Sequence, residues 1–260
     1  MRPGNLFCLQ LADAFADRRR VLLRAGVSVL LALPFILVGM PARAQAAGIV
    51  MVILFTGFFG TAVAHVHLRE DRHLERLSLL PISRASLTLD LMLASVVSRA
   101  APTALVLGAF VVVNGRQISA SATIILAGQL CATLLLLTLL GMGTARLARS
   151  NAEVHLFGAL TVGVLAVVCG VVPTPQRLAP LAAALAPNPI ARLVAVLVAL
   201  PRGKVGISPT EIAFAALVLV ATMAAITIRW IRGAGEKTQA VDSPEKTVNN
   251  AAARVKEGQG

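Results

Sequence analysis

The chain has no tyrosine, one tryptophan and three cysteines, and only 14% of its 260 residues are charged. Each shortage removes a class of function. Cys8, Cys131 and Cys169 share no close spacing, so they are expected as small apolar fillers rather than as metal ligands or redox groups. No G-x-x-x-x-G-K-S/T stretch occurs, and Gly203-Lys204 lacks the upstream glycine, so the chain cannot cradle a nucleotide phosphate by that route. Any ATP must be brought by another protein. A Ser-His-Asp set, an H-E-x-x-H motif and paired carboxylates inside apolar segments are all missing, which leaves an enzyme without support.

What the chain has in abundance is apolar: 57% of its residues are hydrophobic and its mean hydropathy is +0.81. Soluble domains carry about 25% charged and about 45–50% apolar residues. The expected fold is therefore an all-α membrane protein. A net charge of +12 would suggest nucleic acid in a soluble protein, but here the basic residues stand in short loops beside apolar runs. They are expected to set topology against membrane lipids, and no nucleic-acid partner is expected.

Residues 1–232 divide into six predicted spans, at about 21–40, 47–66, 87–113, 118–140, 152–172 and 211–231. Ahead of them, Leu6, Phe7, Leu11, Ala14 and Phe15 share one helical face and Asn5, Gln10, Asp13 and Asp17 the other, before Arg18, Arg19 and Arg20. That pattern predicts an N-terminal amphipathic helix lying flat at the headgroups. Pro41 to Ala46 has the small residues of a signal-peptidase site, yet the long preceding region with two aspartates predicts that it stays uncleaved. Gly57 and Gly60 in the second span permit close helix approach. Between the fifth and sixth spans, six prolines from Pro173 to Pro201 break two apolar pieces, Leu178 to Leu185 and Ile190 to Leu200, each too short to cross. A helical hairpin dipping in at the outer surface is expected. The tail, 233–260, is polar and expected to be disordered. With the amino terminus inside, seventeen of the 24 Lys and Arg fall on the inner side and six outside, which places both termini in the cytoplasm.

Three stretches carry candidate chemistry. The first is the charged loop from Leu68 to Arg84. Its ionised groups would each cost about 2.5–3.5 kcal/mol at mid-bilayer, so it must lie in water. Leu74, Leu77 and Leu80 fall near helical spacing with Glu75 and Arg76 opposite, and Pro81 ends the run, which predicts a short surface helix suited to docking another protein. The second is His65, His67 and His73. His65 and His67 point about 200° apart on a helix and cannot share an ion, so no metal is expected, while His67 and Asp71 are spaced to pair. The third is Arg99, the one charge deep in a span. Either it lines the path of an anionic or amphiphilic substrate with Gln129 as a neighbour, or it bonds a backbone carbonyl or lipid phosphate. Asp90, nine residues away on the opposite face, is no partner for it.

The order of these elements, with Leu74-Glu75, Leu77 and Pro81-Ile82-Ser83-Arg84 in the second cytoplasmic-side loop, resembles the permease subunits of type-2 ABC exporters. Gly170-Val171-Val172-Pro173 through Pro187-Asn188-Pro189 is similar to the outer hairpin of that family. The resemblance covers roughly residues 5 to 232. It implies a half-transporter in the inner (cytoplasmic) membrane, paired with a second copy or a sister permease and seated on an ABC ATP-binding subunit. His73, Leu74, Glu75, Arg76, Leu77, Leu80 and Pro81 would then form the coupling helix. ATP and Mg would be bound by the ATPase and no cofactor by this chain. A haem or cofactor exporter permease shares the loop pattern. A membrane scaffold that recruits a soluble partner and moves nothing is the alternative from another class.

Overall fold

The structure, a computed structural model, describes residues 5–16, 18–71, 77, 83–113, 119–172, 176–178, 180, 183–184, 188–200 and 209–241. Every regular element among them is helical. In chain order these are α1 (Asn5–Ala16), α2 (Arg18–Leu37), α3 (Ala42–Glu70), α4 (Arg84–Val113), α5 (Ala120–Leu147), α6 (Asn151–Val168), α7 (Pro189–Ala199) and α8 (Pro209–Val241), with one short 3-10 turn at Gln176–Leu178. Helices α3, α4, α5, α6 and α8 are each long and apolar enough to cross a membrane. A sixth crossing exists if Phe7–Ala16 and Val21–Leu37, bent by 76° at their junction, are taken together as one broken span.

The helix ends follow from local chemistry. Gly39 takes φ 63°, a left-handed conformation open to glycine, just beyond the end of α2, whose Pro34 has already weakened its last turns. Ser119 caps α5 by accepting from Ala122 N at 3.2 Å. At α6, Ser150 accepts from Glu153 N at 3.3 Å while Glu153 reaches back to accept from Arg149 N at 2.6 Å, a reciprocal cap. Asn188 caps α7, with Pro189 in the first turn where its missing N–H costs nothing.

Helix α5 lies at the centre and packs against α3, α4, α6, α7 and α8. Lipid tails are as apolar as leucine, so burial alone does not hold such helices together; close packing and interhelical hydrogen bonds must. Two glycines of α5 supply the closeness. A Cβ on Gly128 would stand 2.5 Å from Ala215 O on α8, and one on Gly141 would stand 2.8 Å from Phe58 O on α3. The core around α5 contains Ile49, Ile53, Leu54, Phe58, Phe110, Leu134, Leu137, Leu193 and Leu197. Leu22, Leu30, Leu156, Leu160, Leu217 and Val220 lie exposed on the outside, as lipid-facing residues would.

Helix α1 is anchored by Phe7, fully buried with Leu93 and Ala94 of α4 and backed by Ala225 and Ile226 of α8. Helix α7 turns Ile190, Leu193 and Leu197 into the core and at 11 residues is too short to cross, as the proline spacing predicts for the second half of the hairpin. Most of the first half lies outside the described residues. One expectation is corrected: the tail does not lose its structure at 233, because α8 continues to Val241. A helix already nucleated by a span adds one hydrogen bond per residue fixed, and Glu236, Lys237, Gln239 and Ala240 are good helix formers. Residues 242–260 lie outside the described residues.

Candidate functional site

The most irregular helical backbone among the described residues is a π-helical turn, Phe55–Phe59, within α3. It widens the helix, so Gly60 N donates to Phe55 O, five residues back. Hydroxyls tie down both edges: Thr56 Oγ1 donates to Val52 O at 2.8 Å and Thr61 Oγ1 to Gly57 O at 2.5 Å. Thr61 Oγ1 also lies 3.2 Å from Ser95 Oγ, linking α3 to α4. Gly57 lets α5 approach here, since a Cβ on it would lie 2.9 Å from Leu137 Cδ1.

Arg99 belongs to this turn. Midway along α4 and only 8% exposed, it donates from Nη2 to Gly60 O at 2.7 Å. A Cβ at position 60 would sit 2.5 Å from Nη1 and 2.8 Å from Cζ, so a side chain there would displace the guanidinium from its present place against the backbone. Pro102, one turn on, cannot donate a backbone hydrogen bond, and Thr103 Oγ1 bonds Arg99 O at 2.8 Å beside it. Of the two roles the sequence leaves open for Arg99, this geometry supplies the backbone-carbonyl bond.

From Thr61 a polar stripe at i, i+4, i+8 spacing runs along α3 through His65 to Arg69. The His65 ring nitrogens are buried, with the Thr61 backbone one turn back as their nearest polar neighbour. Arg69 Nη1 donates to Ala145 O of α5 at 3.1 Å. Beside the stripe, Val66 and Ala62 pack on Ala145, Ala148 and Val154, and Phe59 stacks 5.1 Å from the His155 ring. The stripe ends at the charged loop. His67 turns outward, as the 200° offset from His65 requires, and approaches Glu70 at 3.6 Å rather than the Asp71 that its spacing suggested. No three His, Cys, Asp or Glu side chains converge among the described residues.

The structure does not bring Arg99 and Gln129 together. The α5 residues facing the π turn are Leu134, Leu137 and Gly141, so Gln129 stands at least five residues, about 7.5 Å at 1.5 Å per residue, nearer the Ser119 end. It is 6% exposed and lines a cavity of about 170 Å³ with Ile125, Ala195, Val196, Ala199 and the Arg192–Glu211 ion pair. Across α7 a second cavity of about 470 Å³ is lined by Arg43, Cys169, Gly170, Ala191, Val194, Ala195, Val198 and Ala199. Of the predicted coupling helix, His73, Leu74, Glu75, Arg76, Leu80 and Pro81 lie outside the described residues; Leu77 is helical and half-buried.

Sequence reasoning missed four features. Asp90, three residues into the predicted third span, is completely buried one turn from Leu93 and Ala94. The reciprocal cap was visible as Ser150-x-x-Glu153. The Thr61-His65-Arg69 stripe was visible as polar residues four apart in an apolar helix. The π turn carried no comparable signal. Neither a family model, nor a curated protein, nor a solved structure matches the chain.

Proposed function

We propose that the chain is the membrane-spanning permease subunit of an ATP-driven exporter of the type-2 ABC kind, moving a hydrophobic or amphiphilic substrate across the cytoplasmic membrane. In this reading α1 lies at the inner surface, α2 completes a set of six spans, and both termini and the 68–84 loop face the cytoplasm. The proline-rich hairpin containing α7 lies on the opposite side. A separate ABC ATP-binding subunit binds ATP and Mg and docks on residues 73–81, and two permeases, alike or sister, form the pathway.

The observation that carries the reading is continuity: the charged loop leads directly into a helix with a polar stripe and a widened turn, gripped at mid-length by Arg99. Widened turns recur at functional positions because a π turn and a regular turn differ by one residue of register and exchange by small backbone moves. Force on the loop would shift Arg69 against Ala145, then Thr61 against Ser95, and so repack α3 on α5. That is a two-state element biased from one end. A passive scaffold needs no such internal line.

The test uses the full chain with its ATPase partner in liposomes. Leu77→Arg and Glu75→Lys should leave insertion intact and lower substrate-stimulated ATP hydrolysis at least about tenfold, since each defect at a small docking surface is worth 1.4 kcal/mol or more. Unchanged coupling, or no ATPase co-purifying with the chain, would remove the docking role.

A further inference from the structure

We propose that the pocket between α5, α7 and α8 binds a neutral amphiphile whose compact head donates an O–H hydrogen bond to Gln129, a lipid of the monoacyl- or diacylglycerol kind. Gln129 is 94% buried and its Oε1 has no hydrogen-bond partner among the described residues. A buried acceptor left open beside a cavity is a place for a donor that the described residues do not provide. The surroundings define that donor. Arg192 is met by Glu211 and Gln129 is neutral, so the described residues that line the cavity offer no unbalanced charge to an ionised head. Its volume of about 170 Å³ equals roughly five or six waters at about 30 Å³ each, enough for a glycerol-sized group.

Space for the tail adjoins it. Ala195 and Ala199 line both this cavity and the larger one of about 470 Å³, so across α7 the two are separated by methyl side chains. A chain anchored by its head at Gln129 lies over those alanines and along Val194 and Val198. Exposed Arg43 borders the larger cavity, and a phosphate-headed lipid held there is the competing occupant. Binding of this kind requires no ATPase, so its failure leaves the exporter reading untouched.

The full-length protein in nanodiscs is labelled with a monoacylglycerol bearing a photoreactive diazirine on its acyl chain. A probe with the same tail and a phosphate head is run beside it. The glycerol probe should label the segment containing Ala195 and Ala199 saturably and be displaced by unlabelled monoacylglycerol. Gln129→Leu should weaken that binding by about three- to tenfold, the value of one ordinary hydrogen bond. Ala195→Trp, which fills the ridge and leaves residue 129 unaltered, should abolish labelling of the segment and serves as the control should Gln129→Leu fold poorly. Labelling that is equal in wild type and both variants, or that prefers the phosphate probe and ignores Gln129→Leu, would overturn the proposal.

Discussion

The two ends of the bundle solve opposite problems. Around the π turn, toward the charged loop, polar groups are tied across helices: Arg99 to Gly60, Thr61 to Ser95, Arg69 to Ala145, and Gly141 brings α5 against the same turn. Beside α7, toward the proline-rich segment, a buried amide oxygen is left open and cavities flank a helix presenting alanines. In a membrane, where burial gives helices little mutual preference, tied backbone contacts set register and small residues set distance. The tied end therefore suits the displacement proposed for it, and the loose end the proposed amphiphile.

The largest effect is expected at Gly141. Any side chain there drives into Phe58 O and Thr61 Cβ, 2.8 and 3.1 Å from the position of a first carbon, and backbone cannot swing aside as a side-chain tip can. Gly141→Leu should destabilise the protein by about 3 kcal/mol, the upper range for overpacking a close contact, and lower the yield of monodisperse protein. Gly143→Leu, two residues along the same helix with nothing within 4 Å, is the matched control and should leave thermal unfolding unchanged. Equal behaviour of the two would mean that α5 and the π turn are not in close register.

How much of this was legible follows the physics of each signal. The all-helical class and the apolar helices long enough to cross a membrane were legible because apolar runs of about 20 residues are a local quantity. The short helix α7 was legible through Pro189, which fits the first turn of a helix better than its interior. Arg99 was recognised as exceptional by its charge alone, but its partner was not, because Gly60 O is a backbone atom 39 residues away and becomes available only through the fold. Gln129 was paired with Arg99 by composition; the register of α5, fixed by Gly128 on Ala215 and Gly141 on Phe58, sets the two at different depths. The end of α8 was misjudged at 233 because tail composition was weighed without the helix feeding into it.

A medium effect is expected at Arg99, and its character separates holding from stability. Arg99→Leu removes a charge costing about 2.5–3.5 kcal/mol in the membrane and also a charged hydrogen bond worth about 1.5–3 kcal/mol, so global stability should change by under about 1 kcal/mol. The local consequence should be larger. With Gly60 O released, amide hydrogen exchange of residues 56–64 should quicken by about tenfold, while residues 122–130 of α5 keep their rates. Uniform rates across both segments would show that the guanidinium does not hold the turn.

The smallest effect is expected at the Arg192–Glu211 pair, and its smallness is informative. The side chains are 49% and 32% exposed, and exposed pairs are worth about 0.2–1 kcal/mol, so Glu211→Gln should scarcely move thermal unfolding. The pair closes one wall of the cavity at Gln129, however, and breaking it leaves Arg192 with an unbalanced charge beside an apolar space. The substitution should therefore shift the head preference of a bound amphiphile from hydroxyl toward phosphate while stability stays within about 0.5 kcal/mol, and the double exchange Arg192→Glu with Glu211→Arg should restore it. If stability falls by more than about 2 kcal/mol and head preference does not change, the pair is a structural clamp, and the loose end of the bundle is tied after all.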